Sequence, residues 1–133
     1  MTKFLGLSII CLSIFVTASF SLSIDRFSEC VALSTENNKY LPKMASKYIR
    51  IAGTECLQTA NRPIFLYIMT FILSKKEVDF STIDELKRTL PKSWCTSPEQ
   101  RRLIERFDIR YKYFDKNGVF IEDINIKIGD CKN

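Results

Sequence analysis

Phe107-Asp-Ile-Arg-Tyr-Lys-Tyr-Phe-Asp-Lys-Asn-Gly-Val-Phe-Ile-Glu-Asp-Ile-Asn-Ile-Lys-Ile128 is the stretch that decides the fold class. Phe107, Ile109 and Tyr111 alternate with Asp108, Arg110 and Lys112. Beyond Asn117-Gly118, Ile124, Ile126 and Ile128 alternate with Asp123, Asn125 and Lys127. Alternation is the period of a strand with one buried face, and Asn-Gly is the preferred pair of a two-residue type I′ turn. Such a turn pairs Lys116 with Val119. It sets Tyr111 against Ile124, Ile109 against Ile126 and Phe107 against Ile128 on one face, with Lys112 facing Asp123 on the other. A slip of one residue would turn the whole apolar set toward water. The same register puts Phe114 opposite Ile121 on the face away from the core, and an exposed apolar pair can mark a partner site.

Upstream, Thr96-Ser-Pro-Glu99 opens a helix, with Ser97 as N-cap and Pro98 at the favoured first position; Leu103, Ile104 and Phe107 face inward. Ser81-Thr-Ile-Asp-Glu85 opens the helix before it. Ser81 is its expected cap, Ile83, Leu86 and Leu90 its apolar side, and Pro91 its expected stop. Pro63 to Leu73 is apolar on both alternations and rich in β-branched and aromatic residues, as a central strand buried on both faces would be. Thr59 to Arg62 reads as a turn, and Tyr48 to Ala52 as a strand before it. Ile24 to about Asn38 forms a first helix that Leu41-Pro42 ends; a rival reading carries helix on through Lys39, Lys43 and Lys47, kinked at Pro42. The order α-β-β-α-α-β-β predicts an α+β domain: a four-stranded antiparallel sheet with its helices packed on one face.

Residues 1–23 read as a secretory signal peptide. Lys3 precedes an apolar run from Phe4 to Val16, and small residues follow. The run is shorter than the ~20 apolar residues a span needs and is broken by Ser8 and Ser13. Of 133 residues, 24–133 then remain as a single domain, and losing Lys3 takes the net charge from +5 to +4. Cys11 leaves with the leader. Cys30, Cys56, Cys95 and Cys131 remain, an even set that reads as two disulfides in an exported chain. Three pairings are possible. The expected one joins neighbours, Cys30–Cys56 and Cys95–Cys131.

Histidine is absent from the chain. That removes Ser–His–Asp and Cys–His catalysis and the commonest metal ligand. The cysteines lack zinc-site spacing, and no phosphate-binding loop or dinucleotide fingerprint is present. Glu122 and Asp123 point to opposite faces of their strand and cannot form a dyad. Lys43, Lys47 and Arg50 lie close together and could meet an acidic partner, as could the second basic group, Lys87, Arg88, Lys92, Arg101, Arg102 and Arg106. Mixed-sign helix faces of this kind are mostly solvated.

Taken in order, Leu41-Pro-Lys-Met44, Arg50-Ile51, Phe65-Leu-Tyr67, Cys95-Thr-Ser-Pro-Glu99, Tyr111-Lys-Tyr-Phe-Asp-Lys-Asn-Gly118 and Asp130-Cys131 carry a resemblance. Over roughly residues 36–131 the chain resembles a small family of exported bacterial proteins of unknown function, typified by a quorum-sensing-regulated virulence factor of Pseudomonas. The resemblance implies an α+β fold outside the cytoplasm and a bond between Cys95 and Cys131, and carries over no catalytic residue. Ile49 stands where the family pattern has threonine, and Asp108 where it has glycine. The expectation is a secreted or periplasmic, non-enzymatic module that binds a protein partner, in a setting of virulence or host contact. It needs no cofactor, metal, nucleic acid or stable membrane anchor. The candidate contact residues are Phe114, Ile121, Lys43, Lys47 and Arg50. The alternatives are a small-ligand carrier with a pocket lined by Tyr67, Tyr111 and Tyr113, an immunity or inhibitor protein, and a hydrolase using carboxylates alone.

Overall fold

The structure, a computed structural model, describes residues 26–131; the expected signal peptide lies outside them. In chain order the elements are helix α1 (26–38), strands β1 (Lys43–Met44), β2 (Ile49–Leu57) and β3 (Ile64–Phe71), helices α2 (Phe80–Thr96) and α3 (Pro98–Ile104), and strands β4 (Asp108–Phe114) and β5 (Phe120–Ile126). The sheet has five strands in the order β1-β2-β3-β4-β5. Neighbours are antiparallel except β3 and β4, which run parallel from Ile64 beside Asp108 to Thr70 beside Phe114. The α+β class holds, but the four-stranded antiparallel sheet is corrected to a mixed one of five. The reason lies in the connection between the two hairpins. At 1.5 Å per residue α2 returns the chain about 25 Å, the length of a seven- or eight-residue strand. β4 therefore starts at the same end as β3, and a parallel pair is what a helical crossover produces.

One face of the sheet carries the core. Ile49 on β2, Phe65, Met69 and Phe71 on β3, Ile109, Tyr111 and Tyr113 on β4, and Ile124 and Ile126 on β5 are buried beneath Ile83, Trp94, Ile104 and Phe107. β3 is the middle strand, as its two-sided apolarity requires, and Leu66 on its opposite face is also buried.

The hairpin keeps its expected register along the strands, Ile109–Ile126, Tyr111–Ile124 and Lys112–Asp123. The expected Phe107–Ile128 pair does not form, because β4 begins at Asp108, β5 ends at Ile126 and Ile128 opens a short 3-10 turn (Ile128–Asp130). The turn differs. Asp115 N–H donates to the Val119 carbonyl at 2.8 Å and Gly118 N–H to that of Asp115 at 3.0 Å, so Lys116, Asn117 and Gly118 form a three-residue loop. Gly118 sits at φ +81°, the left-handed conformation such a loop needs. The extra residue is absorbed at Ile121, where a bulge lets Phe114 face Phe120 instead. The expected Phe114–Ile121 pair is therefore replaced by Phe114–Phe120, with ring centroids 6.1 Å apart, and Ile121 packs against the core. Burying the Tyr111–Ile124 face fixes the register more strongly than the turn does.

Asp115 holds this tip. Its buried carboxylate accepts from the amides of Lys75 (2.9 Å), Asn117 (2.8 Å) and Val119 (2.8 Å). Burial would raise its pKa. The three amide donors and nearby Lys116 outweigh that and hold the carboxyl below its ordinary value. A depressed carboxylate contributes stability that is present above the unfolded value near 3.9 and lost as pH falls through the folded one. Asp115→Ala should lower Tm by several degrees at neutral pH. That deficit should shrink as the wild type is acidified below about pH 4; a constant deficit in thermal melts across pH would refute the assignment.

Two helix boundaries differ from expectation. Asp79, not Ser81, caps α2, accepting from Ser81 N–H at 3.0 Å. α2 also runs through Pro91 to Thr96. An interior proline disfavours helix by ~3 kcal/mol, and two contacts beyond it hold the last turn: Trp94 is buried against the sheet, and Cys95 is bonded to Cys131. Ser97 caps α3 with Pro98 at its first position, as the sequence requires. α1 ends at residue 38, and β1 occupies the segment where a longer helix was the rival reading.

Candidate functional site

α2 leaves part of the core face uncovered. Its buried residues are Ile83 and Trp94, whereas Leu86 and Leu90 are only half-covered. Between them and the sheet lies a cleft of ≈ 380 Å³. Ile49 and Ile51 of β2, Tyr67 and Met69 of β3, and Tyr111 and Tyr113 of β4 form its floor; Ala45, Ser46 and Gln100 complete its rim. Ile51 and Tyr67 also line a second cavity of ≈ 260 Å³ that runs past Thr54 to Asn37, Tyr40 and Lys43. Ser46 and Ile49 are shared with a third, of ≈ 90 Å³, that reaches Asp79 and Thr82. The three form one trough beside β2. From Ile49 to Thr54 it runs about 16 Å at 3.3 Å per residue, roughly three turns of a helix.

Trp94 fixes the floor. Its indole N–H donates to the Tyr111 hydroxyl at 2.9 Å, and its ring lies 6.2 Å from that of Tyr67. Tyr67 in turn stacks on Tyr111, with centroids 4.7 Å apart and planes 10° from parallel. Burial pushes the Tyr111 phenol up to about 12, with the Trp94 donor working the other way. Tyr67 and Tyr113 are pushed up as well, by burial first and by Tyr111 second. All three phenols therefore stay neutral at physiological pH. The central cleft is apolar, carries neutral hydroxyls and is lined by no charged side chain. It suits an uncharged apolar group and offers no acid pair for hydrolysis.

At the Thr54 end the trough reaches Asn37 of α1, a helix held by a polar clip as well as by Cys30–Cys56. The Asn38 side-chain amide donates to the Thr54 carbonyl at 3.0 Å and accepts from Thr54 N–H at 2.8 Å. β1 pairs with β2 only at Arg50 and Ile51, so Asn38 does for Thr54 what a neighbouring strand would do. The Ser34 and Thr54 hydroxyls lie 2.8 Å apart beneath it.

The residues singled out from the sequence are not gathered in this trough. Lys43 lies at one end of it. Arg50 aligns with Thr70 and Phe114 on the opposite sheet face. Lys47 sits at the end of the sheet with its ammonium 5.3 Å from the Tyr48 ring. Phe114 faces away from the trough, and Ile121 joins the core. Cys30–Cys56 and Cys95–Cys131 are both bonded. In the second basic group, Lys87 pairs with Glu122, Arg88 with Glu85, Arg101 with Glu105 and Arg106 with Glu29. Among the described residues no cluster of three potential metal ligands occurs, and no helix is long and apolar enough to cross a membrane. The signal that could have located the trough was α2's own apolar side, too narrow at Ile83, Leu86 and Leu90 to cover a sheet face this wide.

No protein-family profile matches the chain, and no curated protein matches it. Solved structures do. A Pseudomonas aeruginosa protein described as secreted matches with a TM-score of 0.69 at 16% identity, over 84% of this chain and 96% of its own. EpsS, a pilotin from the Vibrio vulnificus type 2 secretion system, matches with 0.69 at 14% identity, over 85% and 97%. AspS, the type II secretion system pilotin of Vibrio cholerae, matches with 0.62 at 11% identity, over 86% and 99%. At these identities the likeness establishes a shared fold across nearly the whole of each chain.

Proposed function

We propose that this protein is an exported, non-enzymatic binding module, residues 24–133 after loss of the leader, that holds an apolar segment of a protein partner in the trough beside β2. The observation that carries this reading is the uncharged cleft under Leu86 and Leu90, flanked at both ends by cavities that share its wall residues. A run of three helical turns fits its length, and half-covered leucines over stacked aromatics are what an amphipathic helix seeks in a groove. The fold shared with two secretion-system pilotins supports an accessory role, and makes type II secretion components of the producing organism the first partners to offer. The family resemblance adds the setting of virulence or host contact.

Titration of isotope-labelled protein with such components should shift the amides of Ile51, Met69, Leu86 and Leu90 before others. Leu90→Glu should weaken binding at least tenfold at a temperature where the variant is folded; because Leu90 also packs against the core, its melt should fall by a few degrees. Binding that ignores this substitution, or shifts confined to other surfaces, would defeat the reading.

The three tyrosines on the floor favour a second reading, a small-ligand carrier. The central cleft lies within the usual range of about 300–1,000 Å³ for such sites. Native mass spectrometry of protein purified from its own host would show a bound small molecule if that reading is right.

A further inference from the structure

We propose that the end of the sheet carrying the β4–β5 turn docks reversibly on an anionic phospholipid surface. Tyr48, Ile72, Phe80, Val119 and Phe120 are all exposed there, Phe80 to 82%. They come from separate segments that meet at one pole: Ile72 N–H donates to the Tyr48 carbonyl at 2.9 Å, and Lys116 N–H to that of Leu73 at 3.1 Å. Phe80 and Val119 open onto a common cavity of ≈ 630 Å³ whose mouth carries Lys75 and Lys76.

Five lysines belong to this pole: Lys47, Lys75, Lys76, Lys112 and Lys116. Lys112 holds its ammonium 5.7 Å from the Phe120 ring. None of the five forms an ion pair with a carboxylate of the described residues. Of the acids nearby, Asp115 is buried, and Asp79 and Glu77 are exposed but hydrogen-bonded locally, Asp79 as the cap of α2 and Glu77 accepting from the Ser74 N–H and hydroxyl. Asp123 lies across from Lys112.

Charge and composition together select the occupant. Exposed aromatics ringed by cations bind membranes through buried apolar area plus attraction to acidic headgroups. Protein interfaces are enriched in arginine and depleted in lysine, and here five lysines stand against Arg50 alone. The same end adjoins the Asp79 mouth of the trough, so a docked protein would present its bound partner close to the bilayer.

The test is co-sedimentation of the exported protein with vesicles of phosphatidylcholine, with and without one-third phosphatidylglycerol. Binding should be at least tenfold stronger to the acidic vesicles and should weaken with salt. Lys75→Glu with Lys76→Glu should reduce it tenfold or more, as should Phe80→Ser, each with an unchanged melt because these side chains are exposed. Equal binding to neutral vesicles, no binding to either, or insensitivity to these substitutions would overturn the proposal. So would competition by soluble glycerol phosphate, which would mark a free-phosphate site.

Discussion

Removing both disulfides should leave the domain largely unfolded at physiological temperature. Cys30–Cys56 closes a loop with a sequence separation of 26, and Cys95–Cys131 one of 36. The chain-entropy account assigns each about 3–4 kcal/mol, against a total of ~5–15 kcal/mol for a domain of this size. The two bonds also hold different things. The first ties α1 to β2, where Asn38 and Ser34 at Thr54, Leu33 against the core and the Glu29–Arg106 pair also hold the helix. The second anchors the last turn of α2, beyond Pro91, to the segment after β5. The first bond has one fully buried sulfur, Cys30, and one half-buried, Cys56, whereas both Cys95 and Cys131 are half-buried, so reductant should open the second bond first. Mass spectrometry of alkylated intermediates would show the order. Urea melts of the Cys30→Ala/Cys56→Ala and Cys95→Ala/Cys131→Ala variants would give the two contributions. Equal urea midpoints for oxidised and reduced protein would show that the cross-links carry no stability.

Trp94→Ala should be the most damaging single substitution in the helical layer, lowering the unfolding free energy by about 3–5 kcal/mol and Tm by roughly 15–30 °C. Trp94 is 1% exposed. Its removal empties the space beside Tyr67 and leaves the Tyr111 hydroxyl without its donor. It also withdraws the packing that holds helix past Pro91. Trp94→Phe separates these effects, since it keeps most of the volume and loses the hydrogen bond, worth ~0.5–1.5 kcal/mol. Loss of the indole donor should also raise the Tyr111 pKa further. Calorimetry of the two variants, with hydrogen exchange across residues 92–96, would test the account. A Trp94→Ala protein melting within a few degrees of wild type would refute it.

Much of this architecture is written in local pattern. Alternation at Ile109–Tyr111 and Ile124–Ile126 defined two strands and their register, because burying one face leaves a single choice. Ser97-Pro98 placed the start of α3, and the two-sided apolarity of 63–73 identified the middle strand. Where local rules failed, longer-range contacts had overridden them. Asn117-Gly118 indicated a two-residue turn, yet the Asp115 carboxylate bonds three separate amides around a three-residue loop. Pro91 indicated a helix end, yet Trp94 and Cys95 are needed on the same face one turn later. Gly53 masked the second half of β2, which a register shift beside it lets the strand continue.

What the sequence determined alone was the α+β class, the register of the last hairpin, the even set of cysteines beyond residue 23 and the absence of histidine chemistry. Each rests on residue identity or on neighbours a few positions apart. Tertiary structure alone decided that β3 and β4 run parallel, that Leu86 and Leu90 stand off from Ile51 and Met69, and that five lysines gather around exposed aromatics at one pole. Those residues lie far apart along the chain, and only the crossover through α2 and the closing of the β4–β5 hairpin bring them to one surface.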